Sequence, residues 1–133
     1  MEERGVVIDT MVWAHALNRD SPYFGKARKL ISEHERSTVL LPNIALELYN
    51  VLVRDYGLPA YRASSLVLKL LERYPVIPIT KAECAKAIEI ASSQGLLVFD
   101  ALVAAAALVN GFHLVTFDKR LANTYRRLTG SKR

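Results

Sequence analysis

The sequence predicts an α/β fold in which a mostly parallel sheet is covered by helices on both faces. Short, continuously apolar segments alternate with longer segments of helical periodicity, and parallel strands need such helical connections. Continuous apolar runs are typical of strands that are buried on both faces. The chain has 133 residues, of which 51% are hydrophobic. A chain of this size can form one domain with a substantial core.

Each predicted element follows from local signals. Their order is strand 6–8, helix 10–17, helix 21–34, strand 38–41, helix from 42, helix 60–73, strand 74–79, helix 80–95, helix 100–110, strand 113–116 and helix 119–128. Ser21 and Pro22 suit the N-cap and the first position of the second helix. Thr80 and Glu83 have the spacing of a capping box. The two prolines of the third strand indicate a sheet edge.

The composition predicts a cytoplasmic protein without a membrane segment. The first apolar run, 6–8, is too short for a signal peptide, and the longest strongly apolar run, 101–109, is too short to span a bilayer. The single cysteine, Cys84, excludes an internal disulfide and suits a reducing compartment. Its place in a helical pattern predicts a buried side chain. The three histidines lack the spacing of zinc ligands.

Four carboxylates stand at positions where a folded core has little use for them: Asp9, Glu47, Asp100 and Asp118. Asp9 and Asp118 follow predicted strands, and Asp100 precedes an alanine-rich helix. Glu47 lies three residues after Ile44, which places it on the apolar stripe of its helix. A buried, unpaired carboxylate costs several kcal/mol unless it is protonated, paired or bound to a cation. The four acids are therefore candidates for a functional site.

All four carboxylates are predicted to lie at one edge of the sheet. In an open parallel sheet, ligands bind beyond the carboxyl ends of the strands, where the strand order reverses. Neighbouring carboxylates raise one another's pKa unless a cation neutralises them, so the cluster predicts a divalent metal site. Oxygen ligands favour Mg²⁺ or Mn²⁺. Such ions activate water and stabilise a phosphoryl group during transfer.

Each acid also has an ordinary structural explanation. Asp9, Asp100 and Asp118 could cap helices or occupy their first turns, and Glu47 could pair with a residue such as Arg54. An Asp-x-Asp motif after the first strand, which a phosphatase of the haloacid dehalogenase type needs, is absent. It is the joint placement of the four acids that favours the functional interpretation.

The net charge of +5 arises in the last fifteen residues. Residues 1–118 contain 12 Lys or Arg and 13 Asp or Glu, whereas residues 119–133 contain six basic residues and no acid. These six are Lys119, Arg120, Arg126, Arg127, Lys132 and Arg133. This basic segment is either a solvated last helix or a surface that binds the phosphates of a nucleic acid.

Four short motifs follow one another along the chain. They are Val-Ile-Asp9-Thr10, Ala-Leu-Glu47-Leu-Tyr-Asn, Phe-Asp100-Ala-Leu-Val-Ala-Ala-Ala and Leu-Val-Thr116-Phe-Asp118-Lys-Arg-Leu. In this order the sequence resembles PIN-domain ribonucleases, and most closely the small VapC-like toxins of toxin–antitoxin pairs. The resemblance spans residues 6–121, essentially the whole chain.

The resemblance implies one PIN-like domain over residues 1–133, with the basic C-terminal segment 119–133. Its expected fold is a three-layer α/β/α sandwich with a four- to five-stranded sheet. The implied activity is that of a Mg²⁺- or Mn²⁺-dependent endoribonuclease. The implied catalytic and metal-binding residues are Asp9, Glu47, Asp100 and Asp118, with Thr10 and Thr116 as supporting hydroxyls. Phosphate contacts to RNA would come from Lys119, Arg120, Arg126 and Arg127.

Partners and alternatives follow from the same considerations. Leu58, Tyr61 and Leu68 lie off the main apolar face of the predicted helix 60–73 and its approach, which predicts a homodimer through this helix and the preceding one. The resemblance also implies an antitoxin that inserts an Arg or Lys into the carboxylate cluster. A catalytically silent PIN-like module that binds RNA or protein, and an RNA-processing nuclease unrelated to toxicity, remain alternatives.

Overall fold

A three-stranded parallel sheet forms the centre of the molecule in a computed structural model that describes residues 4–130. The strands are β1 (Val6–Ile8), β2 (Thr38–Val39) and β3 (His113–Val115). Their spatial order is β2-β1-β3, with Val7 level with Val39 on one side and with Leu114 on the other. All three residues of β1 are buried. The predicted strand 6–8 is therefore confirmed, and it is the central strand of the sheet.

Helices account for most of the remaining chain. Within residues 4–130 they are α1 (Thr10–Ala16), α2 (Phe24–Glu33), α3 (Pro42–Asn50), α4 (Ala60–Arg73), α5 (Lys81–Gln94), α6 (Val98–Asn110) and α7 (Lys119–Leu128). A π-helical turn, Val51–Asp55, continues α3. The predicted α/β class is confirmed, and the bounds of α4 and α7 match the predicted ones.

The prediction of four to five strands is wrong, because the predicted third strand forms only one bridge, between Leu40 and Val76. The Leu40 amide donates to the Pro75 carbonyl over 2.8 Å, and the Ile77 amide donates to the Leu40 carbonyl over 2.9 Å. Proline has no backbone N–H, so Pro75, whose carbonyl faces β2, cannot donate to that strand. A longer ladder cannot form there.

Two predicted helix starts are also displaced. Ser21 does not cap α2, because its hydroxyl accepts from the Tyr23 amide over 3.0 Å and hydrogen-bonds to His15 Nδ1 over 2.7 Å. These contacts form a turn, and α2 begins after it. Helix α6 begins at Val98, two residues before the predicted start, so Asp100 lies in its first turn, one of the two positions expected for it. By contrast, the predicted capping box of α5 is present, and that helix ends at Gly95 with a φ of 69°.

Buried apolar side chains form one core cluster around the sheet. Within α6, the small side chains of Ala101 and Ala104–Ala107 are fully buried, which brings this helix close to the sheet and to α5. Cys84, expected to be buried, is instead exposed on α5. Among the helices that the structure describes, none is long and apolar enough to cross a membrane.

The strand order positions the functional site. From the central strand β1 the chain first builds β2 on one side and later returns to build β3 on the other. The order therefore reverses between β1 and β3, whose carboxyl ends lie at the same edge of the sheet. A crevice at such a reversal is where open parallel sheets bind their ligands.

Candidate active site at the carboxyl ends of the strands

Asp9 stands immediately after β1 and is held at both carboxylate oxygens. Its Oδ2 accepts a hydrogen bond from the Thr116 hydroxyl over 2.8 Å, and its Oδ1 accepts from the Thr10 amide over 2.9 Å. Its own amide donates to the Val115 carbonyl over 2.9 Å, which continues the pairing of β1 with β3. Asp9 is also the N-cap of α1. Asp9 thus caps a helix and also belongs to the candidate site, so the two interpretations of this residue do not exclude each other.

Glu47 reaches this edge from α3. Its Oε2 accepts a hydrogen bond from the buried Thr10 hydroxyl over 2.9 Å, which ties α3 to the start of α1. The side chain is half-buried. In residues 4–130 the ion pairs are Arg73–Glu35 and Lys86–Glu89, so Glu47 does not pair with Arg54 there. Among the residues that the structure describes, this half-buried carboxylate therefore has no cationic partner.

Asp100 and Asp118 complete the group from two further helices. Asp100 is half-buried in the first turn of α6. Asp118 is exposed and caps α7, since its Oδ1 accepts from the Arg120 amide over 2.9 Å and from the Leu121 amide over 3.1 Å. The Asp118 amide in turn donates to the Thr116 hydroxyl over 3.1 Å. Thr116 therefore links the first and the last acid.

The carboxylates of the group affect one another electrostatically. Burial raises the pKa of Asp9, and the charge of Asp118 raises it further, although the Thr116 hydroxyl and the Thr10 amide act in the opposite direction. Burial also raises the pKa of Glu47 against its bond from Thr10, with contributions from Asp9 and Asp100. The pKa of Asp100 is raised by burial and by the charges of Asp9 and Asp118. Each of these three acids therefore feels the charge of at least one other carboxylate of the group.

The donor chemistry of this site fits a hard divalent cation. Four carboxylates and two hydroxyls offer the oxygen ligands that Mg²⁺ and Mn²⁺ prefer. In the part of the chain that the structure describes, no group of three His, Cys, Asp or Glu side chains is placed so that it could hold a metal ion without movement of side chains. Asp118 uses its Oδ1 to cap α7.

The predicted RNA-binding arginines already have partners within the chain. Arg120 donates to the Gly95 carbonyl over 2.9 Å, at the end of α5. Arg127 donates to Gln94 Oε1 over 3.2 Å, and Arg126 donates to a neighbour on its own helix. Lys119 is exposed at the start of α7. These contacts give α7 a structural role beside α5, and the phosphate-binding role stays a prediction. Lys132 and Arg133 lie outside the described residues.

Sequence reasoning missed an aromatic cluster at the edge of the site. His15, Tyr23 and Phe117 come from three separate segments, and their rings lie within 6 Å of one another. Phe117 stands between Thr116 and Asp118, and that position was the one signal available in the sequence. Nothing in the sequence indicated that His15 and Tyr23 lie beside Phe117, because only the fold brings them together.

Comparison with known proteins identifies the family. A family model described as the PIN domain matches residues 6–127. This match covers more than half of the chain, so the chain belongs to the PIN domain family. The resemblance predicted from the four motifs is thereby confirmed. No protein of curated function matches the sequence.

Solved structures share the fold over nearly the full chain. VapC20 from Mycobacterium tuberculosis, described as a toxin that cleaves the sarcin–ricin loop, is 20% identical with a TM-score of 0.77, and the match covers 90% of this chain and 94% of that one. A toxin–antitoxin complex from Klebsiella pneumoniae gives 16% identity, a TM-score of 0.71 and coverage of 89% and 91%. FitAcB from Neisseria gonorrhoeae gives 17% identity, a TM-score of 0.71 and coverage of 90% and 92%. At these identities the similarity establishes the fold.

Proposed function

We propose that this PIN-domain protein is a metal-dependent endoribonuclease that hydrolyses phosphodiester bonds of RNA. The observation that carries the proposal is the group of four carboxylates at the strand-order reversal, three of which have a raised pKa. Partly buried carboxylates that raise one another's pKa destabilise a folded protein unless a cation neutralises them. The membership of the PIN domain family and the fold shared with VapC20 support the choice of RNA as substrate.

The residues of the site have two roles in the proposed reaction, which are metal binding and the orientation of the metal-binding carboxylates. Asp9, Glu47, Asp100 and Asp118 would hold one or two Mg²⁺ or Mn²⁺ ions. Such an ion, when bound, lowers the pKa of a water molecule and stabilises negative charge on the phosphoryl group. Thr116 and Thr10 keep the carboxylates of Asp9 and Glu47 oriented through the hydrogen bonds described above. The cytoplasm, where its RNA substrates lie, is the proposed place of action.

A cleavage assay tests this proposal. The purified protein should cut a labelled single-stranded RNA in the presence of Mg²⁺ or Mn²⁺. Excess EDTA should stop the reaction, and readdition of the cation should restore it. Undiminished cleavage in EDTA would contradict the metal requirement. Absence of cleavage on a broad set of RNAs, in the presence of metal, would favour the catalytically silent PIN-like module instead.

The proposed biological role is that of the toxin in a toxin–antitoxin pair. Two of the similar structures are described as a toxin and as a toxin–antitoxin complex. The antitoxin would place an Arg or Lys among the carboxylates, where the partly buried surroundings strengthen the ion pair. Expression of the chain alone should arrest growth, and coexpression of a small neighbouring gene product should relieve the arrest. Normal growth during expression of an active enzyme would favour the alternative, an RNA-processing nuclease.

We also propose a homodimer that uses α4. Tyr61 and Leu68 are exposed and stand seven residues apart, so they share one face of this helix. Leu58, the third residue predicted for this surface, is half-buried against the core instead. Light scattering at micromolar concentration should give a dimer mass, and Leu68→Glu should convert it to a monomer. A wild-type monomer that does not associate as concentration rises would contradict this interface.

A further inference from the structure

The aromatic cluster beside the carboxylates is formed by His15 of α1, Tyr23 at the start of α2, and Phe117 between β3 and α7. The ring centroids of His15 and Tyr23 are 5.1 Å apart, and each lies 5.8 Å from the centroid of Phe117. The planes are tilted by 39° to 60°. Aromatic pairs at these separations attract one another and fix each other's orientation. The three rings therefore form one preorganised surface.

The cluster is joined directly to the proposed active site. Phe117 lies between Thr116, which holds Asp9, and Asp118, which belongs to the carboxylate group. His15 belongs to α1, the helix that Asp9 caps. His15 lies six residues after Asp9, and Phe117 directly precedes Asp118. A nucleotide whose phosphate lay at the carboxylates would therefore have its neighbouring base close to these rings.

Exposure and charge favour a nucleic-acid ligand. The Tyr23 side chain is half-exposed, with 51% of the residue accessible, and Phe117 is partly exposed. The Lys26 ammonium lies 5.4 Å from the centre of the Phe117 ring and so places a positive charge at the same surface. His15 is held in place by its hydrogen bond to the Ser21 hydroxyl. An aromatic face with an adjacent cation is the combination that binds single-stranded nucleic acids.

We propose that Tyr23, supported by His15 and Phe117, stacks on a base of the RNA next to the phosphate that is cut, and that Lys26 contacts the backbone. This inference rests on the proposed ribonuclease function and extends it to the position of the substrate. Stacking tolerates different bases, because every base has a π face. The cluster would thus hold single strands in place and leave sequence choice to other contacts.

Binding of a fluorescent RNA tests this inference. A single-stranded RNA with 2-aminopurine is titrated against the Asp100→Asn variant, which keeps the RNA uncut. Bound RNA should show quenched fluorescence, since the base stacks on a ring. The further change Tyr23→Ala should remove most of the quenching and weaken binding roughly tenfold. Tyr23→Phe keeps the ring and should recover both. Ile88→Ala, a truncation of a comparably exposed side chain on α5, serves as the control for general surface effects.

Kinetics separate the failure of this inference from the failure of the ribonuclease function. With an active enzyme, Tyr23→Ala should raise KM roughly tenfold, and an RNA with an abasic site at the stacked position should make Tyr23→Ala and wild type alike. If the wild type cuts RNA and Tyr23→Ala leaves KM and quenching unchanged, the stacking site is refuted while the function stands. If the wild type cuts no RNA but quenching depends on Tyr23, the stacking site stands and the catalytic assignment fails.

Discussion

Glu83 and the carboxylates around Asp9 are acids of the same chemical type whose pKa values are shifted in opposite directions. Glu83, in the first turn of α5, accepts hydrogen bonds from the Thr80 amide, the Thr80 hydroxyl and the Asn110 side chain. These donors lower its pKa to about 2. Asp9 also accepts two hydrogen bonds, yet burial and the charge of Asp118 raise its pKa.

The contrast separates a structural acid from the acids that we propose to be functional. Glu83 is surrounded by donors from its own chain, so its charge stabilises the fold. Asp9, Glu47 and Asp100 come together from the start of α1, from α3 and from α6, so their charges oppose one another. Burial of the residue does not distinguish the two cases, since Glu83 is the more buried. The two cases are distinguished by the number of hydrogen-bond donors around the carboxylate and by the sign of the neighbouring charges.

The largest expected effect is on catalysis. Asp9→Asn or Asp100→Asn should lower the rate of RNA cleavage by orders of magnitude, because loss of a metal ligand removes several kcal/mol of transition-state stabilisation. Stability should be maintained, since repulsion between carboxylates is relieved. Glu89→Gln, an exposed acid on α5, should cleave like the wild type. Wild-type rates in both aspartate variants would refute the assignment.

The converse substitution is expected to affect stability and not catalysis. Glu83→Ala removes the capping box and leaves the Asn110 side chain without this acceptor, so the free energy of unfolding should fall by about 1–2 kcal/mol. Urea denaturation measures this change, and the cleavage rate below the transition should stay that of the wild type. A variant of unchanged stability would mean that the hydrogen bonds of Glu83 are dispensable.

The pH dependence of stability should differ in sign between the two groups. The raised pKa values of Asp9, Glu47 and Asp100 mean that the folded state binds their protons more tightly than the unfolded state. Stability is therefore lost as pH rises from the ordinary values of 3.8 and 4.5 through the raised ones. Glu83 does the reverse, because its contribution is lost as pH falls from 4.5 towards about 2.

Urea denaturation in EDTA across this range tests the sign. His113, whose burial lowers its pKa from 6.5, reduces stability as pH falls and so acts against the site acids. Because both proteins contain His113, its effect on stability cancels when the wild type is compared with Asp100→Asn. The stability gained by Asp100→Asn should increase as pH rises from about 4 to about 7. A gain that is constant with pH would show that Asp100 does not titrate in the repelling group.

The smallest effect is expected from the basic segment. Arg126→Ala with Arg127→Ala should weaken RNA binding, because each arginine is proposed to neutralise one backbone phosphate. The dependence of log K on log salt should flatten by about 0.7 for every phosphate that is no longer neutralised. Arg120 is best left intact, because it holds the end of α5. An unchanged salt slope would assign these arginines to the packing of α7 alone.

Local signals in the sequence predicted much of the fold. The capping box at Thr80, the glycine at Gly95 and the proline at Pro42 act within a few residues, so the corresponding helix ends were predicted correctly. The short extent of the third strand could not be predicted, since it depends on which backbone donors face Leu40 once Pro75 is in place. The predicted start of α2 was wrong because the Ser21 hydroxyl hydrogen-bonds to His15, and this tertiary contact cannot be read from local sequence.

The candidate site was predictable in part for the same reason. Asp9, Asp100 and Asp118 stand at element ends, and Glu47 interrupts an apolar stripe, so each carries a local signal. The fold adds what these signals lack. It brings Thr10 to Glu47 and Thr116 to Asp9, and it groups three aromatic rings beside them.

The most direct test of the central claim is calorimetric titration of the protein with Mn²⁺ in the absence of RNA. The wild type should bind the cation, Asp9→Asn and Glu47→Gln should lose most of the affinity, and Glu83→Ala should retain it. Metal binding that survives in both site variants, or that disappears in Glu83→Ala while the protein stays folded, would contradict the assignment of the four carboxylates as the metal site.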